Sequence, residues 1–128
     1  ILKIKSNIDS GTFRGLQLAA AEAYRNSDEW HAEANYNTYS RRRKTAEAIM
    51  AALGCTFDPD QVGMFLWGKI PAEYADGEQL TERVLNEARV FITPGFIFGS
   101  NGERYIRISL CGKDEKMQEA LERIKKVF

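Results

Sequence analysis

The chain has 128 residues, enough for one ordinary domain with a single core, and its 18 Lys and Arg balance 18 Asp and Glu. That balance leaves no overall positive field to gather nucleic acid or an anionic membrane surface, and no apolar run reaches the roughly 20 residues of a membrane-spanning helix. Cys55, Cys111 and the lone His31 lack metal-ligand spacing, so the expectation is a cytoplasmic protein with buried free thiols, no metal, no nucleic acid and no membrane partner.

The opening "ILKIKSNIDSG" lacks Met and begins inside an apolar-basic alternation, which reads as an excised piece of a longer protein. After the turn-rich "SNIDSG", Leu16, Ala19, Ala20, Ala23 and Tyr24 recur at helical spacing and predict a helix from about Phe13 to Tyr24. "RNSDEW" interrupts it. With Ser27 or Asp28 as N-cap, a second and longer helical stretch runs from about Glu29 to Leu53 and closes at Gly54.

"TFDPDQVG" is a loop by composition, and "GMFLWGKIP" is a short apolar strand between Gly63 and Pro71. Alternating Phe65 and Trp67 read as its buried face. Asp76 to Gln79 has the form of a capping box, followed by Leu80, Val84, Leu85 and Ala88 on one helical face that ends near Arg89. "VFITPG" is a brief strand stopped by Pro94, and the Asn-Gly of "SNGE" predicts a hairpin or tight reversal between "FIF" and "RYIRISL". Asp114 can cap a last helix with Met117, Ala120, Leu121, Ile124 and Phe128 on its apolar face. The order predicts an α+β fold, a small and largely antiparallel sheet covered by helices.

Several motifs have ordinary explanations. Consecutive helical residues point about 100° apart, so "RRRK", Arg41 to Lys44, spreads its charges around the cylinder and reads as a solvated or salt-bridged surface. His31 has no nucleophile placed beside it and reads as structural. The glycines of "TPGFIFG" and "FGSNG" lead into a strand, whereas a phosphate cradle leads into a helix N-terminus. Arg107 resists such treatment. It shares a strand face with Tyr105 and Ser109, opposite Ile106, Ile108 and Leu110. A half-buried guanidinium needs an anion, supplied either by an internal Asp or Glu or by a carboxylate-bearing ligand.

"GMFLWGKIP", "ARVFITPGFIFGSNGERYIRISLC" and "ALERIKKVF" together resemble the C-terminal part of class I/II aminotransferases, the fold-type I enzymes that use pyridoxal phosphate. "KIKSNIDSGTFRGLQLAAAEAY" is similar to the segment after that family's cofactor-bearing lysine, and "YRNSDEW" through "RRRKTAEAIMAALG" to the helix linking large and small domains. The ordered series Pro94, Gly95, Phe98, Gly99, Gly102, Tyr105, Arg107 is the most specific part. The resemblance implies that residues 1–27 are the last segment of a large, cofactor-carrying domain and 28–128 the small domain. It implies that Arg107 grips the α-carboxylate of an amino acid or 2-oxo acid substrate. Lys5, Asn7 and Ser10 correspond to a region near the family's dimer interface and are candidates for contacts to a second subunit, although a plain turn explains the same residues.

The family's cofactor lysine, its aspartate and most of its phosphate cradle have no counterpart in this chain, and Lys44, Lys69 and Lys113 do not sit in a matching context. The expectation is therefore a C-terminal piece of a homodimeric transaminase, inactive alone and carrying no covalently bound pyridoxal phosphate, whose partners are the parent's large domain and its substrates. The small domain would close over the large one about a bend near Asn26 to Asp28. Two alternatives stay open: a stand-alone α+β module binding a carboxylate ligand or a protein, and a fold-type I enzyme of another chemistry.

Overall fold

Period-two alternation in three short segments becomes an antiparallel sheet of order β1-β3-β2 in the computed structural model, which describes residues 1–8 and 11–128. The strands are β1, Phe65–Lys69, β2, Thr93–Pro94, and β3, Tyr105–Ser109. The helices are α1, Leu2–Ile8, α2, Arg14–Arg25, α3, Ser27–His31, α4, Ser40–Ala52, α5, Gly77–Ala88, and α6, Asp114–Ile124. The expected α+β arrangement is the one observed. Two compact units make up the chain, Ile1–Asn37 and Thr38–Phe128.

In the first unit, "SNI" is helical through Ile8 rather than a turn, because the carbonyl of Lys3 takes bonds from the side chains of Ser6 and Asn7 and stabilises a helical turn. No residue of α1 or α2 is buried. Asn26 sits between α2 and α3 and caps by its backbone, so the side-chain cap expected at Ser27 or Asp28 is not formed. The long second helix is divided: α3, a π-helical stretch Ala32–Tyr39, and α4. Asn35, Asn37 and Thr38 are weak α-helix formers and fall where the regular pattern lapses.

The core of the second unit lies on one face of the sheet. Leu66 and Ile106 are fully buried there against Ile49 and Met50 of α4, Leu80 and Val84 of α5, and Leu121 and Ile124 of α6. Gly54, at φ +68°, turns the chain out of α4 in the left-handed region that favours glycine. Helix α5 starts as expected: Asp76 accepts from the Gln79 N–H at 2.8 Å while the Gln79 side chain accepts from the Ala75 N–H at 2.8 Å. It ends at Arg89, whose φ is 56°.

Other expectations are corrected by the packing. Asp114 opens α6 without capping it, because its carboxylate turns to Arg41 and Arg42 of α4. "FIF" forms a 3-10 turn, Gly95–Phe98, followed by a second, Ser100–Gly102, so the hairpin arm before β3 is only Thr93–Pro94. The cause is a backbone contact: a Cβ at Gly95 would run into the Gly102 carbonyl, and glycine at both positions lets the loop fold on itself. Cys55 is buried and its thiol is pushed up to about 11 by desolvation, but Cys111 is exposed. Phe65 and Trp67 occupy the face of β1 opposite Leu66, away from the core.

The exposed edge of β1 is satisfied locally. Thr56 and Lys69 exchange backbone bonds of 2.9 and 2.7 Å, and the Gln61 amide takes the Trp67 N–H at 2.9 Å and gives to its carbonyl at 2.8 Å. Gln61 thus imitates a neighbouring strand.

Leu66→Ala is expected to cost about 2–5 kcal/mol in urea unfolding. Val62→Ala, at a side chain that is 91% exposed, should change stability by no more than about 0.5 kcal/mol. Equal effects from the two would place the core elsewhere.

Candidate functional site

Arg107 stands at the middle of the central strand, opposite Trp67 on β1 and Thr93 on β2. The period of two puts Phe65, Trp67, Lys69, Thr93, Tyr105 and Ser109 on its face and gives the core the other. Phe98 is delivered to that face by the first 3-10 turn. The guanidinium carbon of Arg107 lies 4.1 Å from the ring centroid of Phe65 and 4.1 Å from that of Phe98. Phe98 in turn meets Trp67 edge to face, with centroids 5.3 Å apart. Arg107 also borders a cavity of about 320 Å³ whose other walls include Ile49, Val90, Ile108, Met117 and Ala120, and which none of the rings around the guanidinium lines.

What the guanidinium does not touch is as informative. Its Nε is buried and has no hydrogen-bond partner, and among the described residues no carboxylate lies within ion-pair distance of it. The internal salt bridge left open by the sequence is therefore not formed among those residues. Arg104 on the same connection behaves differently, donating to the carbonyls of Pro71 and Ala75 at 2.8 Å and to that of Tyr74. Its role is to hold the 71–75 segment.

The basic run is also spent inside the fold. Arg41 and Arg42 both donate to Asp114, the latter at 2.7 Å, and Arg42 reaches the Leu110 carbonyl at 3.2 Å. Arg43 pairs with Glu47 at 2.9 Å and holds the carbonyls of Pro59 and Gln61. Hydrogen bonding from Arg42, aided by Arg41 and opposed by partial burial, holds the Asp114 carboxyl below the usual carboxylate range. These contacts tie α4 to α6 and to the 57–63 loop, which is the salt-bridged reading of "RRRK".

The remaining sequence candidates lie apart from this face. Lys5 and Asn7 are on α1 in the first unit, with the Asn7 amide giving to the Lys3 carbonyl at 2.6 Å, and Ser10 falls outside the described residues. His31 makes edge contacts with the rings of Trp30 and Tyr36 at 5.8 Å. Lys44 is exposed on α4, and Lys113 precedes α6. Among the described residues no group of three or more His, Cys, Asp or Glu is placed to hold a metal, and no helix is long and apolar enough to cross a membrane. Phe65 and Phe98 were the residues that pattern reading missed. Parity was the available signal, since Phe65 and Trp67 alternate against Leu66, Gly68 and Ile70.

The family model described as aminotransferase class I and II matches residues 2–124. The chain is 40% identical over 122 residues to the LL-diaminopimelate aminotransferase of Oleidesulfovibrio alaskensis, covering 95% of this chain and 31% of that protein. It is 37% identical to the corresponding enzyme of Moorella thermoacetica, over 100% of this chain and 32% of the relative. Among solved structures it is similar to a Methanococcus jannaschii protein whose active site is described as similar to that of kynurenine aminotransferases. That likeness has a TM-score of 0.72 and 30% identity, covering 98% of this chain and 33% of the other. The chain thus spans about a third of the length of the relatives it matches.

The lowered carboxyl of Asp114 carries a sign that is testable. A carboxyl depressed by folding adds stability above its unfolded value and loses that contribution as pH falls through its lower folded value. The stability difference between the native chain and Asp114→Asn should be full at pH 6 and shrink below about pH 4 in thermal melts. A difference that does not change with pH would show that Arg41 and Arg42 act there without the charge.

Proposed function

The chain belongs to the class I and II aminotransferase family, and from that premise we propose that it is the part of a pyridoxal-phosphate-dependent aminotransferase that grips the substrate's α-carboxylate, with Arg107 as the anchor. The observation that carries the reading is the half-buried guanidinium itself, held between two ring faces on the central strand and lacking a protein anion among the described residues. A transaminase accepts many side chains but always the same carboxylate. A fork of N–H donors on a rigid strand meets that constant group and orients the Cα–H bond of the substrate.

The described residues do not by themselves make a site for the cofactor. The glycine-bearing turns at 95–102 run into β3 rather than into a helix N-terminus, and Lys69 is the lysine on the face of Arg107, at the opposite end of β1 from Phe65. In this reading residues 1–27 close a cofactor-carrying domain, 28–128 form the small domain, and amino transfer by these residues alone is not expected. Pyridoxal phosphate, held elsewhere in the parent enzyme, supplies the electron sink for moving the amino group. This chain binds, orients and helps exclude water.

The shared name of the relatives makes LL-diaminopimelate the first amino donor to assay in the full-length protein. Pimelate, which has the same carbon skeleton and both carboxylates but no amino group, serves as a non-reacting ligand. Losing a charge-assisted bidentate contact is worth about 1.5–3 kcal/mol, so Arg107→Leu should weaken pimelate inhibition at least about tenfold. Inhibition by 1,5-diaminopentane, which has no carboxylate, should stay the same. Reduced thermal stability with unchanged pimelate inhibition would make Arg107 a structural residue instead.

A further inference from the structure

We propose that Phe65 and Phe98 are positioning residues for the Arg107 anchor, holding its guanidinium in the orientation that receives a carboxylate. The proposal rests on the reading of Arg107 given above and adds to it the means by which the anchor is held still. An arginine side chain is long and rotamer-rich, and hydrogen bonds usually fix it, as the three carbonyls fix Arg104. Arg107 makes no such bonds among the described residues. Its restraint comes from two ring faces, each with its centroid 4.1 Å from the guanidinium carbon.

The rings also decide which donors remain. Stacking a planar cation on an aromatic face is favourable and takes water away from the plane, while leaving the in-plane N–H groups free to donate. With Nε buried beneath and unpartnered, the terminal Nη groups are the ones left to meet a ligand. The two rings come from different parts of the chain, β1 and the 3-10 turn, so they do not hold the cation as one piece. Phe98 depends on the Gly95–Gly102 backbone contact that folds its turn and on the edge of Trp67, 5.3 Å away. Neither ring is part of the core, since Phe65 is 40% and Phe98 49% exposed. Their place over a cation gives these rings a use other than core packing.

The test is a double-mutant cycle in the full-length enzyme, read as the inhibition constants of pimelate and of 1,5-diaminopentane. Phe98→Leu should weaken pimelate about fivefold or more while leaving 1,5-diaminopentane unchanged, and Phe98→Tyr, which keeps the ring, should stay within about twofold of the native enzyme. In an Arg107→Leu background Phe98→Leu should have no further effect on pimelate, because the group it positions is gone. Equal weakening of both ligands by Phe98→Leu, or full additivity with Arg107→Leu, would overturn the proposal. If Arg107→Leu weakens pimelate but Phe98→Leu does not, the anchor stands and the positioning role falls. If Arg107→Leu itself leaves pimelate untouched, the anchor reading fails and this inference falls with it.

Discussion

A charge at the centre of a sheet must be paired, solvated or covered, because leaving it bare in a low-dielectric setting costs on the order of several kcal/mol. Strand β3 meets that constraint on one face only. Ile106 goes fully into the core beneath, and Arg107 next to it stands among aromatic rings above. A slip of one residue in the β1–β3 register would bury the arginine and expose the isoleucine, so the core that packs Leu66 against α4, α5 and α6 also determines where the arginine points.

The arginines of the second unit divide by the chemistry of their partners. Arg41, Arg42 and Arg43 are consumed by Asp114, Glu47 and loop carbonyls, and Arg104 by the carbonyls of the 71–75 segment. Each of these joins two parts of the chain and is satisfied within it. Arg42 also lies over the Tyr39 ring, 5.8 Å from its centroid, but it is hydrogen-bonded to Asp114 as well; Arg107 is held by two ring faces, which stabilise a cation without occupying its in-plane donors. In the proposed reading that distinction, rather than exposure or position, separates the anchor from the structural arginines.

Much of this was legible in the residues. Helical spacing marked α2, α5 and α6, the Asp76–Gln79 box marked where α5 starts, and the ordered series ending in Tyr105 and Arg107 identified the family. The misreadings have physical causes. Asp114 has the letters of a helix cap, but two guanidiniums 72 and 73 residues away outbid the backbone for its carboxylate. "FIF" has the composition of a strand, yet the Gly95–Gly102 contact pulls it into a 3-10 turn. Phe65 and Trp67 look like core residues until the register shows that Leu66 holds that position. In each case a contact between distant residues overrode a local preference, and local pattern carries no record of such contacts.

The central claim is that Arg107 waits, oriented, for a ligand's carboxylate. The most direct measurement is a crystal structure of the full-length protein with pimelate bound. The account predicts a pimelate carboxylate in a bidentate contact with the Nη groups of Arg107 at about 2.7–2.9 Å, with the guanidinium still against Phe65 and Phe98. Arg107 paired to a protein Asp or Glu, with pimelate held by other residues, would contradict it.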